Sequence, residues 1–324
     1  MCRIVSGIIV AMMLFCVRPG MAEFSPEIDL AVGNEIIDGF TQYELKFVLV
    51  SESNYKAYGN SRLKYPFHNS FSGGELQISE FGLAFNFGYW QDYKASKDET
   101  MMDFDWITST ENQYILLAYG ETTPNTEIYY YTAGLKYDIK FLGMEFGPFF
   151  DYHKYHSEFI MNDLHQLWYI DTETGEDLDP PWDTTIAGNV LYYEQDLKMP
   201  IMGINFGVSS LMDRVDIFSK IGFTWFASVD DFDDHVIRTD SLESRNSGDE
   251  GEVFLFELST KVDILESLAL IGTFSYLDYN INCQITQRYI DEEIEDWVTA
   301  TARGAQVRGV MRKFNVSVAY MFNF

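Results

Sequence analysis

The stretch that decides the fold is Phe81-Gly82-Leu83-Ala84-Phe85-Asn86-Phe87-Gly88-Tyr89. Its odd-numbered positions are bulky and apolar, whereas its even-numbered positions are small or polar. Side chains alternate between the two faces of an extended chain, so this pattern predicts a strand with one apolar face. The same period of two recurs at 215–225, 254–264 and 314–322. The chain is therefore expected to be all-β.

The polar faces of these runs separate two kinds of β protein. A soluble sandwich buries its apolar face and shows its polar face to water. Here the polar positions include Lys220, Lys261 and Asp263, opposite long aromatic ladders, and aromatic residues make up 16% of the chain. Lipid-facing ladders, aromatic girdles and a wet lumen are typical of a transmembrane β-barrel. We expect such a barrel, with a soluble β-sandwich as the alternative.

The apolar runs predict ten strands, and an even number suits a single-chain bacterial barrel. Their predicted ranges are 28–50, 61–70, 76–90, 127–140, 144–158, 189–210, 214–230, 252–265, 268–282 and 304–324. Short connections at 141–143, 211–213 and 265–267 alternate with long ones at about 91–126, 159–188, 231–251 and 283–303. In barrels of this class short turns are periplasmic and long loops extracellular. The predicted fold is a ten-stranded antiparallel transmembrane β-barrel with long extracellular loops.

The first 22 residues have the three parts of a secretory signal. Arg3 provides the positive charge, residues 4–17 form the apolar run, and Gly20-Met21-Ala22 forms a small-x-small cleavage site. We predict a signal peptide at 1–22 and one barrel domain at 23–324, in the outer membrane of a Gram-negative-type bacterium. Cleavage would leave Cys283 as the one cysteine, so the mature chain could not form an internal disulfide.

The charge balance excludes one class of partner. The chain has 22 basic and 50 acidic residues, and losing Arg3 and Arg18 with the signal would leave 20 basic residues and a net charge of −30. Nucleic acid would be repelled, because binding to it requires basic patches that release its counterions. The acidity fits either a soluble or Ca²⁺-rich surface, or a preference for cationic ligands through the field of the whole protein.

Two short acidic clusters lie in or beside the predicted long connections, Met102-Asp103-Phe104-Asp105-Trp106 and Asp231-Phe232-Asp233-Asp234-His235. Asp233 and His235 are two residues apart and therefore share a face of an extended segment. A carboxylate beside an imidazole fixes its tautomer and makes it a natural general base. Two carboxylates on one face, as at positions 103 and 105, can share a proton and hold a water. The alternative is a pair of acidic loops that bind Ca²⁺ or stay solvated.

One feature of the second cluster conflicts with regular alternation. The outward residues of the predicted strand at 214–230 are odd-numbered, and so are Asp231, Asp233 and His235. These side chains would then face lipid. We therefore predict a β-bulge or twist between Ser228 and Asp230 that turns them towards the barrel mouth.

At these residues the chain resembles the omptin family of outer-membrane proteases, which are ten-stranded barrels with an extracellular active-site cleft. The family's M/V-D-x-D-W segment is matched by Met102 to Trp106. Its D-x-D-E-H segment is matched by Asp231 to His235, with Asp234 in place of the usual Glu. A third similar segment is Tyr193-x-Gln195-x-x-Lys198-Met199-Pro200-x-x-Gly203.

The resemblance implies an aspartyl endopeptidase, a hydrolase in which Asp233 and His235 activate a water. Asp103 and Asp105 would help to bind and orient that water, and no metal or other cofactor is implied. Family members select a basic side chain with acidic residues at the base of a specificity pocket. The residues that match those acids here are Asp231 and Glu44.

The resemblance also implies lipopolysaccharide as an activator, bound on the barrel exterior, with Lys154 as the matching cation. The expected partners are outer-membrane lipid and cationic peptide or protein substrates. His153, His156 and His165 offer a weaker alternative, a metal site. The runner-up function is a non-enzymatic barrel, porin-like or structural and adhesive at the cell surface.

Overall fold

The computed structural model describes residues 25–50, 56–95, 99–108, 114–171, 176–211, 214–236, 242–291 and 296–323. The predicted signal peptide at 1–22 lies outside these residues. The described strands are β1 (Glu27–Val50), β2 (Lys56–Glu80), β3 (Leu83–Ala95), β4 (Met101–Thr108), β5 (Tyr114–Tyr137), β6 (Ile139–Phe141), β7 (Met144–Ile170), β8 (Asp177–Leu211), β9 (Val215–Asp234), β10 (Glu243–Leu265), β11 (Leu268–Asp291) and β12 (Asp296–Asn323). Across these ranges no helix is long and apolar enough to cross a membrane.

The described strand segments close into a ring of ten antiparallel barrel strands. β1 pairs with β12 from Glu27↔Asn323 to Glu44↔Gln306, which closes the sheet. β3 and β4 follow one another in the gap between β2 and β5, and β6 pairs with β7 just after β5 does. β3 and β4 therefore count as one strand of the ring, and so do β5 and β6. The prediction of an all-β, ten-stranded antiparallel transmembrane barrel is confirmed.

The first two residues of the deciding stretch form a turn. Phe81 and Gly82 have φ values of 51° and 81°, which suits a two-residue hairpin turn of the primed type. β2 ends at Glu80, which pairs directly with Leu83. The predicted strand at 76–90 is therefore wrong in its first part, and the predicted strand at 61–70 is too short. The turn could not be predicted from the sequence, because Phe81 is apolar and continues the apolar–polar alternation of the strand that follows.

The structure also corrects the extent of the long connections, which are largely strand. β4 and the first half of β5 occupy much of 91–126, and β7 and β8 leave only 171–176 between them. β9 with β10, and β11 with β12, likewise extend through most of 231–251 and 283–303. Above the membrane both faces of a strand can be polar, so the period-2 contrast that marks a strand disappears there.

The outer surface carries an apolar band near the short turns. Its exposed large side chains include Leu30, Val32, Ile36, Phe85, Phe87, Phe146, Met202, Ile204, Phe206, Ile221, Phe223, Trp225, Phe254, Leu258, Phe314, Val316 and Val318. An exposed apolar surface of this extent is explained by contact with lipid. Phe226 is the last exposed large apolar residue of β9, and the strands continue well beyond it.

The core lies inside the ring, where side chains fill the lumen. Fully buried aromatic residues occupy it at several levels, among them Tyr65, Trp90, Tyr130 and Tyr193. The buried carboxylate of Asp151 has a cationic partner there, because Lys220 Nζ lies 3.0 Å from its Oδ2 atom. A barrel this narrow can be filled by its own side chains.

Candidate active site

The first acidic pair points into the lumen. Leu63 is buried in the core, and it pairs across the ladder with Asp103. Directly opposite residues of neighbouring strands share a face of the sheet, so Asp103 is directed inwards. Asp105 pairs with Ser61, two positions away, and shares that face. Trp106 lies on the outer face, where the Arg62 guanidinium carbon is 4.9 Å from its ring centroid.

A β-bulge turns the second cluster inwards. Trp225 and Phe226 are consecutive and both exposed, whereas Ala227, Val229, Asp231 and Asp233 are buried. The pairing of β9 with β10 shifts register in the same region. An extra residue in one strand reverses the faces of everything after it. The predicted bulge is therefore present, but at Trp225–Phe226 rather than between residues 228 and 230.

Asp233 and His235 form the expected pair. The Asp233 Oδ1 atom lies 3.5 Å from His235 Nδ1, and the two side chains are 2% and 27% exposed. At this separation the carboxylate and the imidazole are in electrostatic contact without a direct hydrogen bond between these two atoms. Burial, with a smaller contribution from the nearby Asp234 charge, raises the pKa of Asp233 to about 8. The Asp233 carboxyl group, whose raised pKa favours the protonated form near neutral pH, therefore lies against a half-buried imidazole.

The two pairs lie on walls of the barrel that meet through an aromatic stack. Tyr65 of β2 stacks on Tyr193 of β8 with centroids 4.3 Å apart and ring planes 3° apart. Tyr193 is the ladder partner of Asp233, and Tyr65 is two residues from the partner of Asp103. Burial, followed by the charges of Asp105 and Asp233, raises the pKa of Asp103 well above its usual range. Asp103 is thus within electrostatic reach of Asp233 across the lumen.

Asp231 lies beside this site, held by three hydrogen bonds. Tyr193 Oη donates to its Oδ2 atom at 3.1 Å. The side-chain and backbone nitrogens of Asn246 donate to its Oδ1 atom at 2.5 and 3.2 Å. Gln195 Nε2 donates to Tyr193 Oη at 2.8 Å and so orients the tyrosine. Burial nevertheless outweighs these bonds and raises the pKa of Asp231 to about 7.

Glu44 does not lie in the pocket. The side chains of β1 that face the lumen are at odd positions, including the buried Ile37 and Tyr43, so Glu44 faces outwards. It forms an ion pair with Arg62 on the outer surface, Oε2 to Nε 3.6 Å, and accepts a hydrogen bond from Asn60 at 3.1 Å. The assignment of Glu44 as a specificity acid is therefore wrong. The reason is the parity of β1, which the segment match did not take into account.

Lys154 lies on the outer face of β7, but its charge is compensated. Its Nζ atom is 3.1 Å from Asp196 Oδ2, and His156 Nδ1 is 2.9 Å from the other oxygen of the same carboxylate. His153, by contrast, is buried in the lumen, so these histidines do not converge. Within the described ranges, no group of three or more His, Cys, Asp or Glu side chains could hold a metal ion.

Four lumen residues that shape the site had no role predicted from the sequence, namely Tyr65, Tyr193, Gln195 and Asn246. Tyr193 and Gln195 belong to the third segment that resembles the omptin family, but the resemblance assigned these two residues no role. Tyr65 carries no local signal, because its role follows from a contact between strands that are distant in sequence.

No family model matches the chain, and no curated protein is similar to it in sequence. Among solved structures, the chain is similar to the outer membrane protease OmpT from Escherichia coli, with a TM-score of 0.75 and 13% identity over 93% of this chain and 99% of that chain. At this identity the likeness shows the fold, that of an outer-membrane β-barrel. The translocator domain of the autotransporter NalP from Neisseria meningitidis follows with a TM-score of 0.35 and 10% identity over 99% and 96% of the two chains. A TM-score this low carries no functional argument.

Proposed function

We propose that this protein is an omptin-like endopeptidase of the outer membrane, a hydrolase with its active site at the extracellular end of the barrel. The observation that carries the proposal is the pair Asp233–His235 inside the lumen, across from the inward-directed Asp103. A barrel that only spans or decorates a membrane has no structural need to gather several carboxylates in its lumen, because burying them is costly.

The proposed reaction is attack of an activated water on a peptide bond. Asp103 and Asp105 bind and orient the water, and His235 removes its proton as general base. Asp233 holds the imidazole in the required tautomer and stabilises its protonated form. The imidazolium then gives the proton to the amine that leaves.

The proposed substrates are cationic peptides or proteins, cleaved at basic residues. Asp231 is the pocket acid that supports this preference, because its carboxylate is in the lumen beside Asp233. With Glu44 on the outer surface, the pocket is left with one assigned acid rather than two. Lipid or lipopolysaccharide contact at Lys154 remains part of the proposal, although Asp196 already neutralises that lysine.

The filled lumen argues against the porin-like alternative. Tyr65, Tyr193 and Phe159 are fully buried and in mutual ring contact, with centroids 4.3 to 6.0 Å apart. These rings occupy the middle of the barrel where an open channel would have to pass. A surface-structural or adhesive barrel remains the second candidate function.

The test is peptide cleavage by the refolded full-length barrel, with and without lipopolysaccharide. We expect cleavage of Lys- or Arg-containing peptides by the wild-type protein and none above background by Asp233→Asn. A wild-type barrel that folds but cleaves no peptide under either condition would refute the proposed function and favour the structural barrel.

A further inference from the structure

The lumen between the two acidic pairs contains polar atoms without a hydrogen-bond partner among the described residues. These buried atoms include Asp103 Oδ1, Asp233 Oδ1 and Tyr65 Oη. Buried polar groups in native proteins are nearly always satisfied, by protein or by a ligand or water. Several orphaned atoms in one region therefore indicate a place prepared for polar atoms that come from outside the chain.

Tyr65 is the orphan that lies between the two pairs. Its ring stacks on Tyr193, the ladder partner of Asp233, and it lies two residues after Leu63, the ladder partner of Asp103. The ring cannot turn away, because it is fully buried between Tyr193 at 4.3 Å and Phe159 at 5.2 Å. Burial and these acids raise the pKa of Tyr65 well above its usual range, so the hydroxyl keeps its proton. Tyr65 is thus a fixed donor aimed at a site lined by carboxylates.

The proposed reaction needs such a donor. Both O–H groups of the attacking water point at acceptors: His235 removes one proton, and a carboxylate accepts a hydrogen bond from the other. The carbonyl oxygen of the substrate instead gains negative charge, and it needs a hydrogen-bond donor when it does so. Tyr193 Oη and Asn246 Nδ2 already donate hydrogen bonds to Asp231, so these groups are not available to the substrate. Tyr65 Oη is the donor that faces both acidic pairs.

We propose that Tyr65 is a catalytic residue whose hydroxyl donates a hydrogen bond to the carbonyl oxygen of the scissile peptide as that oxygen becomes an oxyanion. This assignment rests on the proposed function. The water oxygen bonds to the carbonyl carbon, and the π electron pair moves onto the carbonyl oxygen. His235 takes the water proton and passes it to the nitrogen as the C–N bond breaks. Tyr65 keeps its proton throughout.

The experiment compares Tyr65→Phe with the matched control Tyr155→Phe. Tyr155 is also a fully buried, stacked tyrosine of the lumen, but it packs on Tyr130 at 4.7 Å, away from the acidic pairs. Tyr65→Phe keeps the ring and the stack and removes one hydroxyl. We expect kcat to fall about 10² to 10³-fold, the usual effect of losing one oxyanion donor, with KM within about twofold. Tyr155→Phe should leave both constants unchanged.

The pH profile separates a donor from a group that titrates. Tyr65→Phe should lower kcat by the same factor across the profile without moving its limbs, because the hydroxyl never ionises. Tyr65→His, which keeps a ring and a donor, should recover part of the lost kcat and covers the case in which the phenylalanine variant fails to fold. A Tyr65→Phe kcat within twofold of wild type, or an equal loss in Tyr155→Phe, would overturn the assignment. An inactive wild-type barrel would instead refute the proposed function and this assignment with it.

Discussion

At the scale of single residues, His235 has the most direct consequence. Its Nδ1 atom faces Asp233, so Nε2 is the nitrogen that would take the proton from water. His235→Ala should lower kcat on a basic peptide by about 10² to 10⁴-fold, the range for a lost general base. His165→Ala is the matched control, because His165 pairs with Asp183 at 2.9 Å and has no assigned role in the reaction. A rate for His235→Ala equal to that of the control would contradict the assignment.

The pH dependence of cleavage should reflect the buried carboxylates. Burial raises the pKa of Asp231 to about 7 and that of Asp233 to about 8. Both must be ionised in the proposed reaction, Asp233 to orient the imidazole and Asp231 to attract a cationic side chain. We expect kcat/KM to rise between about pH 6 and 9, with apparent values that belong to the coupled group. A profile that is already flat between pH 5.5 and 7 would show that neither carboxylate limits the reaction.

The same carboxylates should reduce the stability of the barrel at alkaline pH. The folded-state pKa of Asp233, about 8, exceeds the ordinary aspartate value of 3.8. The folded state therefore binds the proton more tightly, and wild-type stability falls as pH rises from about 4 to 8. Asp233→Asn keeps the shape without the charge, so its urea midpoint should exceed that of wild type at pH 9 and approach it near pH 4. Asp249→Asn, at an exposed carboxylate, should show no such pH-dependent gain, and an equal gain there would contradict the argument.

At the scale of elements, the bulge in β9 connects the membrane-facing strand to the site. Deleting Phe226 would restore strict alternation and direct Asp231 and Asp233 outwards. We expect the variant to insert as a barrel, seen as heat-modifiable migration on a gel, because the pairing below the bulge is untouched. Cleavage should be lost, and retention of more than a tenth of wild-type kcat would show that the bulge does not set the orientation of the site.

Several elements could be predicted from sequence and others could not, for physical reasons. The membrane-facing strands were readable because lipid demands an apolar side chain at every second position, as at Phe314, Val316 and Val318. The odd numbering shared by the outward residues of β9 and the acidic cluster was enough to predict a bulge. Its position could not be predicted, since Trp225 and Phe226 both suit an aromatic girdle. The inward direction of Asp103 depends on its cross-strand register with β2, which a single strand does not contain.

At the scale of the whole molecule, the acidic charge should act at long range and the pocket at short range. The chain carries a net charge of −28, which would concentrate cationic peptides near the mouth. The Debye length falls from about 10 Å at 0.1 M salt to about 3 Å at 1 M. We expect kcat/KM for Lys- or Arg-containing peptides to fall with salt while the preference at the scissile bond persists, and Asp231→Asn to weaken that preference. Equal turnover of acidic and basic peptides at low salt would contradict both parts.

Under the proposed function, the stack of Tyr65 on Tyr193 blocks the lumen next to the two acidic pairs. A chain that enters from outside meets rings that fill the passage and has to leave by the way it came. Both fragments of a cleaved substrate would then return to the medium, and none would be delivered inwards as nutrient. The barrel could thus process molecules at the cell's surface without opening a leak in the permeability barrier that it helps to build.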